Sequence, residues 1–190
     1  MSNEILLARH AQTADNAGGR ILGRRDPALT AVGRGQARAL GASLSGEGVR
    51  ALWTSPLLRA RQTAEVVGAA LGLEPVALDD LIESARGRWE GETVAGLARA
   101  EPELHAAFVA GDPAFAFPGG ESLHDQGVRT ARALATVAGG PLPALVIAHA
   151  GTVRAALALC GRAVPPESAL AHGAVAVRLG AAAWAVRPPA

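Results

Sequence analysis

The sequence predicts a single α/β domain with a largely parallel sheet. Short apolar runs, typical of buried strands, alternate along the chain with longer segments that have helical spacing. Neither a low-complexity linker nor an internal repeat of about 20 to 50 residues divides the sequence. Its 190 residues are enough to bury one substantial core. We therefore expect residues 1–190 to form one domain.

The individual elements follow in order along the chain. Strands are predicted at residues 5–8, 51–53, 75–78 and 145–148, where apolar residues run together. Residues 174–187 alternate well enough to predict a closing hairpin. Helices are predicted after Thr30, after Ser55-Pro56 (an N-cap followed by proline at the first helical position) as far as Gly72, over 93–110 with a break at Glu101-Pro102, from Glu121 to about Ala138, and from Gly151-Thr152 onwards.

The composition restricts the compartment and the partners. The 18 basic residues nearly balance the 17 acidic ones, whereas a nucleic-acid-binding surface needs a net basic face. No stretch approaches a membrane span, and the apolar run near the start is too short for a signal peptide. The single cysteine, Cys160, excludes an intrachain disulfide and fits a reducing compartment. We expect a cytoplasmic protein with no nucleic-acid and no membrane partner.

Two similar phrases place a histidine directly after a predicted strand. They are LLARHAQT at 6–13 and LVIAHAGT at 145–152. In open parallel sheets, ligands bind beyond the carboxyl ends of the strands, where helix N-termini present backbone N–H groups. If the two strands are neighbours, His10 and His149 meet in one site. Arg9 precedes His10 and Arg59 follows the second strand, so this site is predicted to bind an anion.

A metal site is the alternative interpretation of two histidines and a carboxylate such as Glu83. However, a guanidinium beside His10 opposes a cation and favours a phosphate, which arginine binds through two parallel hydrogen bonds. The sequence also lacks a metal-binding spacing such as HExxH. We therefore expect a phosphate pocket with no metal and no cofactor.

The segment RHAQT at 9–13, followed by Asn16, resembles the signature of the histidine phosphatases, the phosphoglycerate-mutase-like superfamily. Five further blocks resemble that family in the same order: GRRDPALTAVGRGQA, SPLLRARQTAE, LIESARGRWEGET, PGGES and AHAGTVRA. The resemblance covers nearly the whole chain. It implies a three-layer α/β/α sandwich around a mostly parallel sheet.

The resemblance also implies a double displacement at phosphorus. His10 is expected to attack phosphorus and form a phosphohistidine, which water then hydrolyses. Its imidazole must be neutral to attack, and the nearby arginines should lower its pKa. Arg9, Arg59 and His149 are expected to hold the phosphoryl oxygens. Glu83 is expected to protonate the leaving alcohol and then activate water, so burial should raise its pKa.

Four further residues are assigned to substrate binding. Asn16 is expected to donate a hydrogen bond to the phosphate, and Thr13 and Gly151 belong to the two histidine motifs. Arg24 lies in the loop that should border the site. It is expected to contact a substrate carboxylate or second phosphate, the alternative being a solvated loop.

Two positions depart from the family pattern. Ala11 replaces the usual glycine after the histidine, which keeps the backbone N–H but forbids glycine-only dihedrals. Leu22 stands where many members carry a glutamine that reaches toward the phosphate. We expect a slightly different turn and a more apolar rim, and hence a difference in substrate rather than a loss of activity.

Other residues near these motifs receive structural assignments. Arg61 should face away from Arg59 on their helix and lie at the surface. His105 and His124 are expected to face solvent, and His172 is expected to be structural. Trp89 is the tryptophan expected to touch substrate.

The function favoured by the resemblance is a metal-independent phosphomonoester hydrolase acting on a small phosphorylated metabolite. The compact stretch GRWEGETVAG lacks the long insertion expected of a mutase. A phosphoglycerate-mutase-type transferase and a non-catalytic phospho-ligand binding module stay open as alternatives. The short chain and the blocks WEG and GGES resemble α-ribazole-phosphate phosphatases and are compatible with broad-specificity phosphatases. A homodimer is also left open.

Overall fold

Five strands form one sheet in the order β3-β2-β4-β1-β5 in the computed structural model, which describes residues 3–112 and 114–183. Four strands are parallel to one another, and β5 is antiparallel to β1. The strands are β1 (Glu4–Arg9), β2 (Ala51–Thr54), β3 (Pro75–Ala77), β4 (Ala144–Ala148) and β5 (Ala174–Gly180). The helices are α1 (Ala14–Ala17), α2 (Ala31–Leu44), α3 (Leu58–Leu71), α4 (Val94–Ala100), α5 (Pro102–Ala110), α6 (Leu123–Ala138) and α7 (Ala150–Leu159).

Helices cover both faces of the central strands, which is why these strands are continuously apolar. On one face, Ile5 and Leu7 of β1 and Val146 of β4 pack in a core with α6 and α7. On the other face, Leu6 of β1 and Ile147 of β4 pack with α2 and α3. The predicted three-layer α/β/α sandwich with a mostly parallel sheet is therefore confirmed.

The helix ends agree with the sequence prediction in two places and correct it in a third. Thr30 caps α2 through a hydrogen bond from Gly33 N, and α3 ends at Gly72 in the left-handed conformation. The prediction that Ser55-Pro56 starts α3 was wrong, because the helix begins at Leu58. The Ser55 hydroxyl instead accepts a hydrogen bond from Leu57 N and lies against a histidine of the site described below.

Smaller differences occur in the second half of the chain. The break at Glu101-Pro102 is confirmed, since it separates α4 from α5. The helix predicted from Glu121 begins at Leu123, and the helix predicted from Gly151 begins one residue earlier. The hairpin is wrong in its described part: β5 pairs with β1, and Ala181–Ala183 form a 3₁₀ turn instead of a second strand. Residues 184–187 of that prediction lie outside the described residues.

A separate aromatic cluster forms around Trp89. Trp89 is fully buried and packs against Phe108, Phe115 and Phe117, with ring centroids 5.6 to 5.9 Å apart. The expectation that Trp89 touches substrate was therefore wrong, because its apolar ring is used in this core. No helix in the described part of the chain combines the length and the apolarity needed to cross a bilayer.

Candidate active site

The two histidines of the repeated phrase lie side by side at the carboxyl edge of the sheet. β1 and β4 are parallel neighbours in a register that pairs Arg9 with Ala148, so the residue after each strand reaches the same point. The ring centroids of His10 and His149 are 5.3 Å apart. The prediction that these histidines meet at one site is confirmed.

A cavity of about 530 Å³ opens above this edge. Its volume suits a small metabolite, because ligand pockets commonly span about 300–1,000 Å³. One wall comes from residues 19–23, another from the α4 and α5 segment, and a third from residues 166–172. His10, Arg9, Arg59, Glu83 and Asn16 are among the lining residues, so the cavity gathers five of the nine predicted site residues.

The hydrogen bonds of His10 determine which of its nitrogens is nucleophilic. Nδ1 lies 2.8 Å from the Ala11 carbonyl oxygen, which can only accept, so Nδ1 carries the proton and Nε2 the lone pair. Arg59 Nε donates to Nε2 over 3.2 Å. Burial, followed by the charges of Arg59, His149 and Arg9, lowers the pKa of His10 well below its ordinary value. The lowered pKa agrees with the neutral imidazole that was expected, and burial contributes more to it than the arginines.

His149 has the opposite tautomer. Its Nδ1 accepts a hydrogen bond from Arg59 Nη2 at 3.2 Å, and its Nε2 donates to Ser55 Oγ at 2.7 Å. Burial and the nearby arginines, Arg59 first, lower its pKa well below the usual range. Ser55 therefore fixes the orientation of His149, a role that the sequence reading as a helix cap missed.

Arg59 joins the two histidines and is held rigidly. Its Nη1 donates to the Arg25 carbonyl at 2.7 Å, and its Nη2 donates to the Gly23 carbonyl at 2.9 Å. Burial lowers its pKa to about 10, so the guanidinium stays charged at neutral pH. Arg61, by contrast, is exposed, as expected from its position two residues further along α3.

Arg9 connects the first histidine motif to the third wall of the cavity. Its Nη1 donates to the carbonyl oxygens of Glu167 and Leu170, at 3.1 and 2.7 Å. Its Nε is buried without a hydrogen-bond partner among the described residues. Arg9 lines the cavity as predicted, and it also anchors the loop 166–172 against the site.

The Glu83 carboxylate is buried and is surrounded by hydrogen-bond donors. Its Oε1 accepts from Gln126 Nε2 at 2.8 Å and from Ser84 N at 2.9 Å, and its Oε2 lies 3.5 Å from Arg86 Nη2. Burial alone raises the pKa of Glu83. This effect is outweighed by the Arg86 charge, the hydrogen bond from Ser84 N, the Arg59 charge and the hydrogen bond from Gly151 N, all of which lower the pKa. The net pKa lies below the ordinary value, so the expected rise was wrong.

The structure assigns different positions to Asn16 and Thr13. Asn16 lines the cavity, and its Oδ1 accepts from the Thr13 hydroxyl at 2.9 Å, which leaves the amide group as a donor. Thr13 is fully buried, caps the short helix α1 and lies outside the cavity lining. The substrate contact predicted for Thr13 is therefore not seen, because its hydroxyl is used to orient Asn16.

The remaining two predicted contacts also lie outside the cavity lining. Gly151 N donates to Glu83 Oε2 at 3.3 Å, so this residue acts on the carboxylate instead of on a ligand. A side chain at Gly151 would collide with Glu83 and Gln126. The Arg24 side chain is 48% exposed and approaches Glu121 to 3.7 Å, whereas the exposed arginine that does line the mouth is Arg20.

Two histidine assignments need correction. His172, expected to be structural, lines the cavity with its ring centroid 5.8 Å from that of His10, and burial with the Arg9 charge lowers its pKa to about 4. His105, expected to face solvent, is half-buried in the cavity wall. His124 is exposed as expected. His172 is placed by the pairing of β5 with β1, which the predicted hairpin did not include.

Both departures from the family pattern fit the fold. Ala11 is fully buried, and its N–H donates to Thr63 Oγ1 at 3.0 Å. No described residue other than glycine has a positive φ, so alanine meets no strain at this turn. Leu22 is buried and lines the cavity beside Ile21, which agrees with the expected apolar rim.

The charges of the site favour an anion. Four arginines line the described cavity, against the two carboxylates Glu83 and Glu167. In residues 3–112 and 114–183, no group of three or more His, Cys, Asp or Glu side chains is arranged to hold a metal ion. The unprotonated Nε2 of a neutral imidazole that lies beside fixed guanidinium groups is a nucleophile suited to the phosphorus of a bound phosphate ester.

Known proteins are similar to this chain in sequence and in fold. A bifunctional protein of Mycobacterium tuberculosis (Rv2228c) is 38% identical over 158 residues, which cover 82% of this chain and 43% of that protein. A probable phosphoglycerate mutase of Yersinia enterocolitica is 33% identical over 131 residues, 69% of this chain and 61% of its own. The chain thus spans less than half the length of the mycobacterial relative.

A solved structure and a family model extend the comparison to nearly the whole chain. The mycobacterial glucosyl-3-phosphoglycerate phosphatase Rv2419c, solved in complex with VO3, superimposes with a TM-score of 0.80 at 29% identity, covering 93% of this chain and 91% of that one. The family model described as the histidine phosphatase superfamily (branch 1) matches residues 5–177. This match shows that the chain belongs to branch 1 of the histidine phosphatase superfamily, the family that its sequence motifs resemble.

Proposed function

We propose that the protein is a metal-independent phosphomonoester hydrolase acting on a small phosphorylated metabolite. The observation that carries the proposal is the state of His10, whose Nε2 holds a lone pair beside Arg59 in the cavity. A non-catalytic binding module has no need of a buried, neutral imidazole oriented by its own backbone carbonyl. We further propose that residues 1–190 act as one domain, with His10, Glu83, His149, Arg9 and Arg59 as catalytic residues.

The first step transfers the phosphoryl group to His10. Nε2 attacks phosphorus while the bond from phosphorus to the leaving oxygen breaks, and Arg9 and Arg59 neutralise the phosphoryl oxygens. The Asn16 amide donates a further hydrogen bond. His149 is proposed to help hold the same oxygens, beside Arg59, which contacts both imidazoles.

The second step hydrolyses the phosphohistidine. Glu83 gives its proton to the leaving alcohol in the first step, and its carboxylate then removes a proton from the water that attacks phosphorus. The bond from phosphorus to Nε2 breaks, and inorganic phosphate leaves. Because Glu83 has a lowered pKa in this structure, it must gain its proton when the phosphate arrives, since a nearby anion favours the neutral acid.

The shape of the cavity supports a small substrate and release to water. The lining near Leu22, Ile21 and Val94 is apolar, which suits an organic alcohol as the leaving group. The segment 87–96 is a short turn followed by the start of α4, with no insertion above the cavity. This arrangement favours hydrolysis over the transfer of a phosphoryl group to a second substrate.

The test is turnover of p-nitrophenyl phosphate by the purified protein in EDTA, with the His10→Ala variant in parallel. We expect chelator-resistant release of one phosphate per nitrophenol, a phosphohistidine trapped by an alkaline denaturing quench, in which the P–N bond is stable, and loss of all three signals in His10→Ala. A requirement for a divalent metal, or turnover that survives His10→Ala, would contradict the proposal. Incubation with phosphoglycerates separates hydrolysis, which releases phosphate, from mutase activity, which isomerises them.

A further inference from the structure

Glu83, Arg86 and Glu167 form a chain of charges, and the proposed mechanism does not use the last two. The Arg86 guanidinium contacts Glu167 through Nη2 and lies 3.5 Å from Glu83 Oε2 through the same nitrogen. The Glu167 contact is much the closer of the two. The side chains of Glu83 and Arg86 are only 7% and 3% exposed, and that of Glu167 is 24% exposed. One cation is therefore shared unequally between two carboxylates inside the cavity.

Packing fixes the position of this cation. The Arg86 guanidinium carbon lies 4.5 Å from the Phe117 ring centroid and 5.1 Å from that of Phe108. Its Nε and Nη1 are buried without hydrogen-bond partners among the described residues. Glu167 and Glu83 are thus the two carboxylates that balance the Arg86 charge, and Glu167 takes the larger share.

Glu167 is itself held in place from its backbone. It opens the 3₁₀ turn Glu167–Ala169 in the third wall of the cavity, and its carbonyl oxygen accepts a hydrogen bond from Arg9 at 3.1 Å. A second hydrogen bond from Arg9 holds Leu170, at the end of the same turn. The carboxylate of Glu167 is therefore presented to Arg86 by a loop that is anchored on the first histidine motif.

Every element around Glu83 contributes a charge or a donor that opposes its protonation. Arg86 follows it in the chain, Arg59 faces it from α3, and Arg9 and Arg154 act on it from β1 and α7. The neutral groups are Gln126 of α6 and the N–H groups of Ser84 and Gly151. Among the groups around Glu83, Glu167 is the one that draws the Arg86 guanidinium away from the Glu83 carboxylate.

We infer that Glu167 is a positioning residue that holds Arg86 off Glu83 and so allows Glu83 to take the proton that it passes to the leaving alcohol. The inference rests on the proposed function. Without the carboxylate of Glu167, Arg86 has Glu83 as its remaining anionic partner within the described cavity. The two then form a full ion pair, and Glu83 keeps its role as a proton acceptor but loses its role as an acid.

The consequence depends on the leaving group. An alkyl alcohol is a poor leaving group and needs a proton from Glu83, whereas p-nitrophenolate leaves without one. We expect Glu167→Gln to lower kcat/KM for an alkyl phosphate such as glycerol phosphate by about tenfold, a fraction of the usual effect of a general acid. The value for p-nitrophenyl phosphate should change by less than about twofold.

The pH profile gives a second readout, which a merely structural role of Glu167 would not move. For glycerol phosphate, Glu167→Gln should shift the alkaline limb of kcat/KM to lower pH, because the pKa of Glu83 falls further beside an unshared Arg86. Arg86→Met should shift the same limb to higher pH, because burial then dominates. In the Arg86→Met background, Glu167→Gln should cause little further shift.

The matched control is Glu47→Gln. Glu47 is an exposed carboxylate in the segment before β2, and it is also paired with an arginine, Arg178. This variant should alter neither the substrate ratio nor the pH profile. The inference is overturned if Glu167→Gln lowers both substrates equally, or if its shift persists unchanged in the Arg86→Met background. Failure of the proposed function is distinguishable, because then the unmodified protein hydrolyses neither substrate.

Discussion

Arg59 contacts both histidines through one planar guanidinium. Its Nε reaches His10, its Nη2 reaches His149, and two backbone carbonyls hold the group from behind. Lysine, with a single ammonium group, cannot make these contacts together. The geometry of the proposed phosphate pocket therefore depends on the shape of the arginine side chain as well as on its charge.

We predict that Arg59→Ala and Arg59→Lys both lower kcat/KM for p-nitrophenyl phosphate by about 100- to 1,000-fold, the range for a lost donor that stabilises the transition state. Steady-state kinetics measure the effect. Arg61→Ala, on the exposed side of the same helix, is the control and should change the rate less than about twofold. Near-normal activity in Arg59→Lys would show that charge suffices.

The buried histidines also make stability depend on pH. The pKa values of His10 and His149 lie well below the ordinary value, mainly because both rings are buried. Below about pH 6.5 the unfolded chain binds protons that the folded chain does not. The stability from these neutral rings is therefore complete at higher pH and is lost as the pH falls.

We predict that the free energy of unfolding decreases between pH 7.5 and pH 5, by up to about 1.4 kcal/mol per pH unit for each such histidine. Urea unfolding at fixed pH values measures it. His10→Gln should reduce the slope, whereas His124→Gln, at an exposed position, should leave it unchanged. A stability that is constant or rises toward pH 5 would count against neutral, buried imidazoles.

The first turn of α7 places its backbone directly against the Glu83 carboxylate. Gly151 N donates to Glu83, and Gln126 of α6 closes the other side. The approach is possible because Gly151 has no Cβ. Two helices and the turn after β3 therefore meet at Glu83.

We predict that Gly151→Ala displaces Glu83 or Gln126, lowers activity toward alkyl phosphates by about tenfold or more, and costs about 1–3 kcal/mol of stability as an overpacked site. Kinetics and urea unfolding measure the two effects. Gly127→Ala on α6, where an added Cβ meets nothing within 4 Å, is the control. It should keep full activity and gain slightly in stability, as alanine favours helices.

Strands with continuous apolar runs are predictable from this sequence, whereas contacts between distant loop segments are not. Buried parallel strands are continuous apolar runs, so β1 and β4 could be predicted from the sequence. Because His10 and His149 follow these strands directly, their positions at the sheet edge could be predicted as well. Arg86 and Glu167 were missed because they are 81 residues apart, in segments without periodicity, and only the folded chain brings them together. Ser55 was misread because a serine before a proline resembles a helix cap. His172 was missed because its position depends on β5 joining β1.

The molecule as a whole is almost neutral, with a formal charge of +1, while its cavity is lined by more cations than anions. The proposed attraction for a phosphate ester is thus local to the cavity. Salt screens it over about 8–10 Å at physiological ionic strength. The exposed Arg20 at the mouth is the cavity arginine most open to such screening.

We predict that raising NaCl from 20 to 300 mM (about a fourfold shortening of the Debye length) increases KM for a phosphate ester several-fold and leaves kcat nearly constant. Arg20→Ala should weaken this dependence, and Arg24→Ala, outside the cavity lining, should not. A KM that is independent of salt in the unmodified protein would contradict local electrostatic attraction.

The strand order has a consequence for the growing chain. β4 lies between β1 and β2, so the first two strands to be synthesised are not hydrogen-bonded to each other and leave a gap between them. His10 follows β1 and His149 follows β4, so the two imidazoles come together only when β4 lies beside β1. The insertion of β4 between β1 and β2 therefore brings the two histidines together, and residues 166–172 and β5, which follow later in the chain, add the third wall of the cavity and the edge of the sheet.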